Sequence, residues 1–187
     1  MSGLSFASYN LYYYTFSENK SNELDHKVIQ MQLTKGQIFT DHILSDNHFR
    51  VYSYDNNVGY NNKKDLFIFI TDTDYDVLFL YVFKNLDDYY YENEVKGYIY
   101  KAEFDNYIYI SKNDTNYISD GTYYIMVYRK TYEQTDKDSP MYKKHRNITE
   151  FSIAITDEDT SIYLKEGVEF ESKITKHHRE QKYFYNH

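Results

Sequence analysis

The chain has 187 residues, enough for one domain with a substantial core and short for two. Its 21 lysines and arginines stand against 29 aspartates and glutamates, and the formal charge of −8 argues against nucleic acid or an anionic membrane surface as a partner. No run of about 18 apolar residues occurs, so no bilayer-spanning helix is expected, and the absence of cysteine leaves neither a disulfide framework nor a thiol nucleophile.

The first 27 residues read as an N-terminal strand segment. The opening MSGLSFASYNLYYYTF lacks the basic and long apolar regions of a signal peptide. A complete chain would then point to the cytoplasm, whereas in a piece of a longer protein the leader lies elsewhere; an unfinished module at the C-terminus, described below, favours the piece. VIQMQL (28–33) places Ile29, Met31 and Leu33 on one face and Gln30 and Gln32 on the other, a half-buried strand. FRVYSY (49–54) alternates likewise. LFIFI (66–70) and VLFLYVF (77–83) are apolar on both faces, as central covered strands are. Ile68, Ile70, Leu78 and Leu80 are expected between two sheets, with Ile125 and Val127 from a later strand.

NLDDYYYENEVKG (85–97) is too polar for core and reads as a loop. YIYKAEF (98–104) and YIYIS (107–111) are separated by Asp105 and Asn106, the chemistry of a tight hairpin turn. DGTYYIMVY follows, with a turn at Asp120-Gly121 and with Tyr123, Ile125 and Val127 on one face. TYEQTDKDSPMYKKHRN contains the sole proline, Pro140, and has no periodicity, so 131–149 is a linker or long loop. FSIAI (151–155) and SIYL (161–164) are further strands. No window of a dozen residues carries a capped period of 3.6. The expected fold is therefore all-β, a sandwich or barrel of short strands.

The chain also repeats itself. Leu33 and Leu164, Gly36 and Gly167, Phe39 and Phe170, Ile43 and Ile174, Tyr52 and Tyr183, and Tyr54 and Tyr185 all match at a spacing of 131 residues, with Met31 opposite Ile162 extending the series. The matches are a turn glycine and alternating apolar positions, which fix a strand's inward face. The expected organisation is a module at 28–130 and a partial second module at 150–187. A few isolated strands cannot bury their apolar face, so Phe151, Ile153, Ile155, Ile162, Leu164, Phe170, Ile174, Tyr183 and Tyr185 are expected to be exposed. They would be covered by a neighbouring chain or by the rest of a longer protein; folding back on the first module is the bland alternative.

From Val28 to Tyr128 the sequence resembles the prepeptidase C-terminal (PPC) type β-sandwich, in particular its divergent copies in large repetitive surface proteins of ciliates. The resemblance rests on LTKG followed by a strand-turn-strand ending FRVYSY, on DTDYDVLFLYV, and on DGTYYIMVY. It implies a jelly-roll-like antiparallel β-sandwich that is generally non-catalytic, appended to secreted enzymes or strung in arrays. The chain departs from the family in its 25 tyrosines and in the acidic loop from Asp87 to Glu94, so no ligand preference is carried over.

Asp72, Asp74 and Asp76 have the alternate spacing of half a calcium loop, but Phe83 stands where the distal glutamate belongs; a turn-type calcium site and a solvated turn are both open. No other cofactor is indicated. His177 and His178 are adjacent and would point to opposite faces of a strand, so a loop reading is preferred over a metal site. Asn19, Asn113 and Asn147 are N-glycosylation acceptors in form, a pattern that also arises by chance in so Asn-rich a chain. Tyr98, Tyr100, Tyr107 and Tyr109 could form an aromatic ladder on the 98–111 hairpin, either for stacking on glycans or another protein or for stabilising the sheet. No hydrolase, zinc-protease or P-loop motif occurs. Two functions follow: an extracellular or cell-surface structural module that pairs with copies of itself in an array, or a glycan- or protein-binding accessory domain of a secreted enzyme.

Overall fold

The computed structural model describes residues 30–43, 49–72, 78–85, 90–91, 94–103, 105–129, 148–172, 174 and 180–185. The N-terminal segment 1–27 and nearly all of the 131–149 linker lie outside them.

Two sheets form a sandwich. One contains β1 (Gln30–Gln32), β3 (Phe49–Asp55), β10 (Thr122–Arg129), β5 (Leu78–Phe83) and β8 (Tyr100–Ala102), in that spatial order. The other runs β2 (Ile38–Ile43), β11 (Thr149–Asp157), β4 (Leu66–Asp72), β9 (Tyr107–Ile110). All these pairs are antiparallel except β1 with β3, which is parallel because the chain leaves for β2 in the opposite sheet before returning. A 3-10 turn at Tyr60–Asn62 leads into β4.

The inward residues alternate as the pleat requires. Leu66, Ile68, Ile70, Ile108, Ile110, Phe151, Ile153 and Ile155 meet Tyr52, Tyr54, Leu78, Leu80, Val82, Tyr123, Ile125 and Val127 in one core. The six core positions expected from the sequence are all in it. A second apolar cluster, Val51, Phe79, Tyr81, Phe83 and Met126, covers the outer face of the five-stranded sheet. Val95 packs against it from a small hairpin, β6 (Tyr90–Tyr91) and β7 (Glu94–Val95), inside the stretch expected to be only a loop.

Two expectations are corrected. The hairpin at Asp105-Asn106 does not form: β8 pairs with β5 (Leu80 opposite Ala102) in one sheet, and β9 pairs with β4 (Ile68 opposite Ile108) in the other. The connection turns a corner between layers, which lets Ala102, Ile108 and Ile110 all face the core. The module boundary at 149/150 also moves. β11 lies between β2 and β4, so 149–157 is a central strand of the first sandwich, and Phe151, Ile153 and Ile155 are buried there. Ile162 is buried as well.

Candidate functional site

The C-terminal residues reproduce the start of the sandwich. The chain turns at Thr34 to Gln37, where the Gln37 N–H donates to the Thr34 carbonyl (3.1 Å) with Gly36 at φ 81°. At Lys165 to Val168 the Val168 N–H donates to Lys165 (3.2 Å) with Gly167 at φ 75°. Both glycines hold a left-handed conformation that a side chain disfavours.

β12 (Ile162–Leu164) then pairs in parallel with β13 (Tyr183–Tyr185). Met31 stands opposite Tyr52 in β1–β3, and Ile162 stands opposite Tyr183 in β12–β13, so the register is preserved at the 131-residue spacing. A side-chain bond is preserved too. The Tyr52 hydroxyl donates to Asp41 Oδ2 (2.8 Å), and the Tyr183 hydroxyl is bonded to Ser172 Oγ, the position equivalent to Asp41. Burial and the neighbouring Asp41 charge push the Tyr52 phenol far above its ordinary pKa, so it remains a donor.

What differs is the cover. Tyr52 and Ile43 are fully buried, whereas Tyr183 is 47% and Ile174 67% exposed; Tyr163, Leu164, Phe184 and Tyr185 are exposed as well. Tyr163 and Phe184 pack edge to face at 5.3 Å on the opposite face of the ribbon. The equivalents there in the first module are the polar Gln32 and Ser53. In the sandwich β3 lies between β1 and β10, and β2 is paired with β11; among the described residues the ribbon has no counterpart of β10 or β11. The segment equivalent to β2 lies instead over the outside of the four-stranded sheet. There the Glu171 N–H donates to Thr71 Oγ1 (2.6 Å) and Phe170 meets Phe69 edge to face at 6.2 Å. The tail is thus partly folded back and partly exposed.

The ribbon is tied to the sandwich at Gly36. Gly36 N–H donates to Ile155 O (2.7 Å), and Tyr163 N–H donates to Gly36 O (2.8 Å). Below this, Asp157 is buried at the end of β11 and accepts from Lys35 Nζ (2.6 Å), from Thr160 Oγ1 (2.6 Å) and from the Thr160 (2.9 Å) and Asp159 (3.1 Å) amides. Burial alone would raise this carboxyl's pKa, but the Lys35 and Thr160 bonds outweigh it and hold the group below the ordinary carboxylate range. Nothing in the residue pattern TDEDT singled Asp157 out beforehand, since an aspartate after a strand is usually a solvated turn.

The structure separates the other candidate residues. Tyr98 packs on Tyr81 at 5.4 Å, outside the five-stranded sheet, with Lys101 Nζ 5.4 Å above its ring. Tyr107 stacks on Phe69 (6.2 Å) and Tyr109 on Phe67 (5.3 Å), outside the four-stranded sheet. Tyr100 packs against the core between them. No single ladder exists, because the two strands belong to different layers. Asn113 is exposed in the turn after β9, its N–H donating to Ser111 Oγ (3.3 Å). Asp72 ends β4; Asp74 and Asp76, together with Asn19, Asn147, His177 and His178, lie outside the described residues. Among the described residues no cluster of three metal-ligating side chains occurs, and no helix is long and apolar enough to cross a membrane.

The chain is similar to the crystal structure of the pre-peptidase C-terminal domain of a collagenase from Bacillus anthracis, at 12% identity and a TM-score of 0.41, covering 68% of this chain and 94% of that one. No known family profile and no curated protein matches the chain. The sandwich itself stands on its own strand order and core.

Proposed function

We propose that the protein is a non-catalytic structural module of an extracellular array, in which sandwiches follow one another at a spacing of 131 residues. The observation that carries this reading is the second copy of the parallel pair, with the register, the positive-φ glycine turn and the tyrosine hydroxyl bond of the first. A chance sequence likeness would not reproduce backbone pairing and a side-chain bond together. The joint at Gly36 supports a fixed relation between successive modules, since it bonds to strands on both sides of the boundary. The extracellular placement is supported by the exposed acceptor Asn113.

The test is a longer chain in which residues 57–187 are appended twice to His187. Electron microscopy should show rods of three particles at constant spacing. Variable spacing, or a single compact particle with unfolded appendages, would contradict the array. Mass spectrometry of protein from its natural source should find Asn113 carrying a glycan; a bare Asn113, Asn19 and Asn147 would count against the extracellular placement.

A further inference from the structure

We infer that an N-linked glycan on Asn113 lies in the groove beside it, with the C–H face of its first N-acetylglucosamine on the ring of Tyr60. This rests on the extracellular reading and goes beyond it in naming the surface that the sugar occupies.

The groove is built by two loops. Gly59, at φ 67°, opens the 3-10 turn Tyr60–Asn62, which the Asn62 N–H closes by donating to the Gly59 carbonyl (3.3 Å), and Tyr60 stands out of it 78% exposed. On the other wall Asn113, Asp114 and Thr115 are exposed in a turn closed by the Asp114 N–H on the Ser111 carbonyl (3.0 Å). The loops are tied together underneath. Asn56, fully buried, donates through Nδ2 to the Ile118 carbonyl (2.7 Å) and the Tyr117 hydroxyl (3.1 Å), and that hydroxyl donates to the Lys64 carbonyl (2.9 Å). The space between them, about 410 Å³, is lined by Tyr60, Asn61, Lys63, Lys112, Asn113 and Asp114. Its walls are therefore set before a ligand arrives.

The chemistry of the occupant follows from the lining. Lys63 Nζ lies 4.2 Å from the centroid of the Tyr60 ring and covers one of its faces, so the exposed area is the opposite face and the edge. Such a ring offers an apolar platform with polar groups around it. A pyranose has a face of C–H bonds to pack there, and hydroxyl and acetamide groups that the side chains of Asn61, Lys63, Lys112 and Asp114 can meet as donors and acceptors. Because the lining mixes two cations, a carboxylate and amides, it suits a neutral polar ligand better than an ion. Asn113 supplies the point of attachment, and a tethered sugar is held at high effective concentration. Weak contacts then suffice.

The test uses the full chain secreted from a eukaryotic host behind a leader peptide, with Asn19→Gln and Asn147→Gln leaving Asn113 as the acceptor and its glycan trimmed to the first N-acetylglucosamine. Mass spectrometry reads occupancy, and NMR reads the sugar. The expected result is an occupied Asn113 whose sugar C–H resonances move upfield under the Tyr60 ring and show Overhauser contacts to it. Tyr60→Ser should abolish both signals and leave the fold intact, since Tyr60 is a surface residue. Sugar resonances that are the same with and without Tyr60 would mean a glycan free in solvent, and a bare Asn113 would mean an acceptor that is not presented. Saturable shifts at Tyr60 in an Asn113→Gln chain, at free chitobiose far below the millimolar effective concentration of a tethered sugar, would mean a receptor for the glycans of other molecules. Each of these outcomes overturns the inference. Because secretion is imposed here, the extracellular placement is judged separately, on protein from its natural source, and the array on the spacing of particles.

Discussion

Tyr183 stands beside Ile162 in the register in which Tyr52 stands beside Met31, yet Tyr52 is buried and Tyr183 lies half in solvent. Local pairing and the turn that precedes it are therefore encoded within a short stretch, while burial needs strands from later in the module. This separation predicts where mutations will and will not be felt.

Ile125 and Tyr183 mark the two extremes. Truncating Ile125 to alanine removes a fully buried side chain from the centre of the sandwich and should cost about 2–5 kcal/mol. Tyr183→Ala should change global stability by less than about 0.5 kcal/mol, as surface substitutions do. Urea denaturation of the two variants checks the contrast.

The two turn glycines separate strain from crowding. Both have positive φ, so alanine is strained at either position by roughly 1–2 kcal/mol. A Cβ on Gly36 would also lie 2.6 Å from the Ser161 carbonyl oxygen, while one on Gly167 meets nothing within 4 Å. Gly36→Ala should lower the unfolding midpoint of the sandwich. Gly167→Ala should speed amide exchange in the ribbon and leave that midpoint in place.

Asp157 and Tyr54 contribute at opposite ends of the pH range. The Asp157 carboxyl is depressed in the folded state, so its stabilisation is complete above the unfolded pKa of about 3.9 and is lost as pH falls through the folded value. Asp157→Asn should destabilise the protein at neutral pH and flatten the acid limb of a stability profile. Burial, with the Asp157 charge, pushes the Tyr54 phenol up to about 12, so stability that is complete below about pH 10 should fall between the two values. Tyr54→Phe should reduce that alkaline loss.

Deletions locate the module boundary. Removing residues 150–187 takes away the strand between β2 and β4 and should prevent folding. Removing residues 165–187 spares β11, the Asp157 bonds and Ser161, and should leave a folded sandwich with a cooperative thermal transition. Circular dichroism of both shortened chains distinguishes this boundary from one at 149/150.

Most strands were legible because the pleat demands alternation, and Met31, Tyr52, Tyr54, Ile68, Leu80 and Ile125 all face the core as the sequence pattern implies. The repeat was legible through its turn glycines. Sheet membership was not. Asp105-Asn106 has the composition of a hairpin turn, and the same residues serve equally at a corner between layers; only the partners of Ala102 and Ile108 decide which. The misplaced boundary has a related cause. The spacing of 131 residues fixes where the second copy of β1 begins, at Ile162, and the last strand of the first module lies just before it. FSIAI looks the same as a closing strand or an opening one.

The most direct test of the account is hydrogen exchange at Tyr183 and Ile174 in a chain carrying residues 57–157 once more after His187, which supplies the counterparts of β4 to β11. Both amides should change from fast exchange to the protection of Tyr52 and Ile43, and the added residues should unfold cooperatively. If Tyr183 and Ile174 exchange as they do in the original chain while the added residues remain unfolded, the repeat is not the start of a second sandwich.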